Sequence, residues 1–107
     1  MNWDHPDIVA EFEETIRFWL DRGIDGFRVD VAHGLIKTPG YPEDHGEVAV
    51  TNPDGTIADV LPRPYWDQPG VHEIYKRWRA IANAYDPARI FVGEIWVGTP
   101  ARLANYL

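Results

Sequence analysis

Two acidic residues stand where chemistry could be done. Asp30 falls near the end of the run Ile24-Asp25-Gly26-Phe27-Arg28-Val29-Asp30-Val31, and Glu94 near the end of Arg89-Ile90-Phe91-Val92-Gly93-Glu94-Ile95. Both runs read as β-strands, rich in Val, Ile and Phe. Where strands alternate with helices, ligands gather at the carboxyl ends of the strands. Neighbouring strands lie about 4.8 Å apart. Two carboxyl groups at adjacent strand ends could then stand about 5–5.5 Å apart, the separation that suits one as nucleophile and the other as acid/base in a retaining glycoside cleavage. Spacing alone leaves a plainer reading open, in which each acid caps the helix that follows it. Arg28 shifts the balance. It lies on the same side of the strand as Asp30, while Phe27 and Val29 take the other side. A guanidinium there would keep Asp30 ionised, as a nucleophile requires. A structural salt bridge is the plainer account of that pair. Glu94 precedes Ile95 and Trp96, and partial burial there would favour the protonated form that a general acid needs.

The elements that must position these residues can be read from the flanks. Asp4 or His5 can cap a first helix, with Pro6 at its first position and Gly23 at its stop. Ile8, Phe12, Ile16, Trp19 and Leu20 recur at three- and four-residue steps, which predicts one buried stripe. Residues 34 to about 68 carry no sustained period and many Gly and Pro. Within them Asn52-Pro53-Asp54-Gly55 predicts a turn joining Glu47–Thr51 to Thr56–Val60 as a hairpin. A loop this long is usually functional or mobile, and this one is expected to lie over the open end of the strands. A second helix is expected from about Val71 to Tyr85, with Ile74, Trp78, Ile81, Ala82 and Tyr85 on one face. Thr99 and Pro100 open a third. Helix, strand, loop, helix, strand, helix is the order of parallel α/β architecture. Two strands do not make a parallel sheet buried on both faces, so the chain reads as part of a doubly wound sheet or of an eightfold barrel. A whole barrel takes about 250 residues.

Composition narrows the function classes. The chain has 107 residues, 10 Lys+Arg and 17 Asp+Glu, for a net charge of -7. That balance speaks against nucleic acid, whose phosphates call for a basic patch. Five Trp, five Tyr and four Phe are enough to bury a core. No Cys is present, which removes disulfides and thiolate chemistry. No apolar run approaches the roughly 20 residues of a membrane span. The N-terminal residues lack a signal-like pattern, and a cytoplasmic location is expected. His5, His45 and His72 form no HxH or HxxxH pair, so no metal site is expected from them.

The motifs also carry a resemblance. Gly26-Phe27-Arg28-Val29-Asp30-Val31-Ala32-His33 resembles the nucleophile strand of the α-amylase superfamily of glycoside hydrolases, family 13, and Phe91-Val92-Gly93-Glu94-Ile95-Trp96 resembles its acid/base strand. Asn2-Trp3-Asp4-His5-Pro6 resembles the segment before the helix leading to the nucleophile strand. Tyr65-Trp66-Asp67-Gln68-Pro69 is similar to a segment of the α-glucosidase and oligo-1,6-glucosidase branch. The resemblance implies a (β/α)8 barrel, of which residues 1–107 would form a partial catalytic domain, from the helix after strand three to the start of the helix after strand five. It implies Asp30 as nucleophile, Glu94 as general acid/base and Arg28 as the residue that orients Asp30. It implies that His33 lies on the aglycone side of the cleft. A loop-to-helix residue with a satisfied imidazole is the plainer account of His33. Trp96 reads equally as a sugar-stacking ring or as ordinary packing. Val31 resembles the oligo-1,6-glucosidase pattern at that position. The implied partners are short oligosaccharides such as maltose or isomaltose, with no cofactor. Two further family motifs, at the ends of strands three and seven, lie outside these residues, so the chain by itself is not expected to hold a complete active site. A transglycosidase or isomerase of the same superfamily, such as a trehalose synthase or a sucrose-active enzyme, would show nearly the same strands. A catalytically silent amylase-like interaction protein is the rival of another class.

Overall fold

The structure, a computed structural model, describes residues 1–46, 48–61 and 63–107. In chain order the elements are α1 (Pro6–Leu20), β1 (Gly26–Val29), a short 3-10 turn (Ala32–Gly34), β2 (Val48–Thr51), β3 (Ile57–Leu61), α2 (Val71–Asn83), β4 (Ile90–Gly93) and α3 (Pro100–Ala104). β1 and β4 pair in parallel, and β2 and β3 form a separate antiparallel hairpin.

α1 starts where its cap says it should. The His5 imidazole accepts from Asp7 N–H at 3.3 Å, and Pro6 takes the first position. Gly23, at φ +92°, turns the chain out of the helix as an L side chain rarely can. Ile16 and Leu20 are buried, with Ile8, Val9 and Phe12 packed beside them. Trp19 departs from the sequence reading: it is 47% exposed and rests edge-on against Phe18. Its place on the helix wheel falls between Ile8 and Phe12, inside the stripe, so the period alone does not decide its exposure; no neighbouring element covers it at that turn.

α2 brings Val71, Ile74, Trp78, Ile81 and Ala82 to the core and ends two residues before the expected Tyr85. Trp3, Phe12 and Trp78 meet between α1 and α2, with Phe12 stacked parallel to Trp78 at 6.3 Å. Arg77 of α2 pairs with Glu13 of α1 at 2.7 Å. Beneath this layer lie Phe27 and Phe91, stacked at 5.7 Å, one from each parallel strand. The alternation expected of β1 therefore holds: Phe27 and Val29 pack towards the helices, and Arg28 stands exposed on the other side. On that same side of β4, Ile90 and Val92 are 58% and 60% exposed.

The expected hairpin is present. Asn52 and Thr56 close it, Gly55 takes φ +84°, and the Asp54 carboxylate accepts from Thr56 N–H at 2.9 Å. The expected first residue, Glu47, lies outside the described residues. The base of the long loop is tied by Arg63 to Asp44 at 2.6 Å and by Thr38 N–H to the Pro64 carbonyl at 2.7 Å. The radius of gyration is 16.1 Å, against about 13 Å for a closed globule of this length. No helix is long and apolar enough to cross a membrane among the described residues.

Candidate active site

The parallel register brings the two acids level. Gly26 pairs with Ile90, Phe27 with Phe91, Arg28 with Val92 and Val29 with Gly93, so Asp30 and Glu94 are the next residues on each strand. The ladder continues through them: Glu94 N–H donates to Val29 O at 2.9 Å, and Ala32 N–H donates to Glu94 O at 2.9 Å. Gly26 permits the approach at the other end. A Cβ there would stand 1.9 Å from the Ile90 carbonyl oxygen, so the strands close only over glycine.

Arg28 bridges the two carboxylates. Its Nη1 donates to Asp30 Oδ1 at 2.7 Å, and its Nη2 lies 3.3 Å from Glu94 Oε2. The Arg28 guanidinium, hydrogen-bonded to it, holds the Asp30 carboxyl below the usual carboxylate range. Both Arg28 and Asp30 face solvent in this chain, with side chains 61% and 70% exposed, while Glu94 is 33% exposed. The pair therefore orders charge without adding much stability. Val31 occupies the left-handed region at φ 46°, ψ 47°. That is costly for a β-branched residue, of order 1–3 kcal/mol, and the turn points Val31 N–H at Glu94 Oε2, 3.3 Å away. The Val31 side chain is 38% exposed.

A cavity of about 540 Å³ opens beside β1. Arg28, Asp30 and Val31 reach its rim, but most of its wall is apolar, from Trp3, Phe12, Phe27, Trp78 and Phe91. Glu94 does not line it. Among the described residues, no three His, Asp or Glu side chains gather into a group able to hold a metal ion.

Comparison with known proteins agrees with the strand motifs. The α-amylase catalytic-domain family model matches residues 1–107. The chain belongs to the α-amylase family. An oligo-1,6-glucosidase of Parageobacillus thermoglucosidasius is 33% identical over 87 residues, covering 80% of this chain and 14% of its own length. An α-glucosidase of Saccharomyces cerevisiae is 33% identical over 106 residues, covering 92% of this chain and 17% of its own length. Among solved structures, the trehalose-6-phosphate hydrolase of Bacillus licheniformis superposes with a TM-score of 0.68 at 32% identity, over 94% of this chain and 16% of that one. An α-glucosyl transfer enzyme gives a TM-score of 0.73 at 25% identity, over 98% of this chain and 21% of that one. The chain thus spans about a seventh to a fifth of the length of these relatives.

In this α-amylase-family chain the remaining residues singled out from sequence fall into two environments. Trp96 is 73% exposed, its ring open to solvent. His33 is withdrawn, 6% exposed, with its ring 5.0 Å from Trp66. Its Nδ1 accepts the Trp96 backbone N–H at 3.1 Å, and its carbonyl accepts the Asp67 N–H at 2.7 Å. Sequence reasoning missed the support behind this turn. Asp67, whose side chain is 9% exposed, accepts from the Tyr106 hydroxyl at 2.6 Å and pairs with Arg102 at 3.2 Å. The Tyr75 hydroxyl of α2 donates to the Ala32 carbonyl, and burial pushes that phenol up. Burial and the bond to Asp67 push the Tyr106 phenol up as well. The segment Tyr65-Trp66-Asp67-Gln68-Pro69 was the available signal, but nothing local marks Asp67 as the anchor of α3.

Proposed function

We propose that these residues are the nucleophile and acid/base section of a retaining α-glucosidase acting on short α-linked oligosaccharides, of the maltose or isomaltose type. The observation that carries this reading is the level pair Asp30 and Glu94 with Arg28 bridging them. An ionised Asp30 attacks the anomeric carbon, and an ester forms between that carbon and a carboxylate oxygen. The glycosidic C–O bond breaks as Glu94 gives its proton to the leaving oxygen. Glu94, now ionised, takes a proton from water. The resulting nucleophile attacks the anomeric carbon, Asp30 leaves, and the configuration is retained. Arg28 keeps Asp30 anionic between turnovers and fixes its direction. These steps use carboxyl chemistry throughout.

The architecture proposed with it is a (β/α)8 barrel, with β1 and β4 as adjacent strands. Three features support it: parallel pairing, helices on one face only, and exposed Ile90 and Val92 on the face a barrel would turn inward. The apolar cavity beside β1 would then be filled by the preceding part of the barrel. Residues 1–107 by themselves are not expected to turn over sugar. Trapping tests the assignment. The full-length enzyme is treated with a fluorinated glucosyl fluoride that accumulates the glycosyl-enzyme, then digested and analysed by mass spectrometry. The label is expected on the peptide containing Asp30. A label on the peptide containing Glu94 would overturn the reading.

A further inference from the structure

We propose that His33 is a positioning residue for the acid/base step, acting on Glu94 through the backbone of Trp96. The inference rests on the reading of Glu94 given above. Beyond Glu94 the chain leaves the ladder and is irregular until α3. Glu94 is held on one side by the ladder bonds to Val29 and Ala32. On the other side the next fixed point is Trp96 N–H, two residues on, and its partner is His33 Nδ1. Without His33 that N–H would lose its partner and the chain after Glu94 one of its tethers.

The imidazole is built to hold this bond. Among the described residues His33 is the one buried polar residue, 6% exposed. Trp66 covers its ring, Asp67 N–H fixes its carbonyl, and Asp67 is itself anchored to Arg102 and Tyr106. A ring nitrogen that accepts a hydrogen bond carries no proton, so the neutral imidazole must hold its proton on Nε2. The tether therefore has a polarity: only an acceptor at the Nδ1 position serves. This differs from a sugar contact, which would turn the ring towards the cleft.

The test uses the full-length enzyme and two amides. In His33→Asn the Oδ1 falls near the place of Nδ1. In His33→Gln the Oε1 falls near the place of Nε2 and leaves Trp96 N–H unpaired. Glu94→Gln serves as reference. Turnover of an α-linked disaccharide is compared with that of an activated aryl α-glucoside, which needs no protonation of its leaving group. His33→Asn is expected to stay near wild type. His33→Gln is expected to lose about tenfold more kcat on the disaccharide than on the aryl glucoside, with KM little changed. Equal behaviour of the two amides overturns the proposal, as does a rise in KM at unchanged kcat, the signature of a sugar contact. If His33→Gln does not fold, His33→Ala also leaves Trp96 N–H unpaired. The disaccharide-specific loss is then expected in His33→Ala but not in His33→Asn, and equal loss in both overturns the proposal. The reference separates the two levels. Glu94→Gln without leaving-group dependence overturns the functional reading, whereas that dependence in Glu94→Gln but not in His33→Gln overturns this inference alone.

Discussion

Among the described residues the two sheets are each two strands wide, yet they are held by different means. β2 and β3 meet across a tight turn, and Asn52, Asp54, Gly55 and Thr56 supply the bonds that close it. Val48, Val50 and Ile57 on that hairpin stay exposed. β1 and β4 are distant in sequence: the Val31–Glu94 and His33–Trp96 bonds each span 63 positions. That pair is assembled by α1 and α2 packing over Phe27 and Phe91. The candidate chemistry sits on the non-local sheet, where several independent ties converge on two carboxylates. A change there should reach the site, and a change in the hairpin should stay where it is made.

The largest effect expected from breaking this contrast is at Asp30. In the full-length enzyme Asp30→Ala should reduce turnover to background on every substrate, because the glycosyl-enzyme cannot form. Steady-state kinetics against an inactive-preparation control would check it. Glu94→Ala should cost about 10²–10⁴-fold on disaccharides and far less on activated aryl glucosides, with the covalent intermediate accumulating on the latter. Pre-steady-state burst measurements would reveal it.

Gly26→Ala should act next, through structure. The added Cβ meets Ile90 O at 1.9 Å, so the strands must part. A loss of about 1–3 kcal/mol is expected for such overpacking, read by denaturant unfolding, with kcat falling as the level pair is disturbed.

The legibility of the molecule from its sequence follows the same division. The hairpin turn, the Thr99 cap and the Gly23 stop are local patterns and appear as read, and of the two cap candidates for the first helix, Asp4 and His5, the structure takes His5. The alternation of Phe27, Arg28 and Val29 foretold which side of β1 would face the helices. Trp19 was misread because a period marks a face of the helix without showing which of its turns a neighbour covers. The left-handed backbone at Val31 had no residue signal, since β-branched residues avoid that region. Asp67, Arg102 and Tyr106 converge only once α3 is docked, and no spacing encodes that.

A smaller effect belongs to Arg28. Its guanidinium is the leading cause that keeps the Asp30 carboxyl below the ordinary range. A carboxyl with a lowered pKa stays ionised further into acid. Removing Arg28 raises that pKa, so the acid limb of the kcat/KM profile should move to higher pH in Arg28→Met. An unshifted limb would mean that Arg28 acts by geometry alone. The smallest effect should come from the hairpin. Gly55→Ala places an L side chain at φ +84°, a local cost of about 1–2 kcal/mol. It should leave kcat near wild type, with any change confined to KM among substrates of different length.

The central claim is that Asp30 is the nucleophile and Glu94 the acid/base of one retaining site. Rescue by azide addresses it most directly, with the products of the full-length Asp30→Ala and Glu94→Ala enzymes read by NMR. In Asp30→Ala, azide takes the nucleophile's place, attacks the α-glucoside once, and should give the inverted β-glucosyl azide. In Glu94→Ala, azide needs no general base, attacks the glycosyl-enzyme, and should give the retained α-glucosyl azide. The opposite pairing of products would contradict the account by exchanging the two roles.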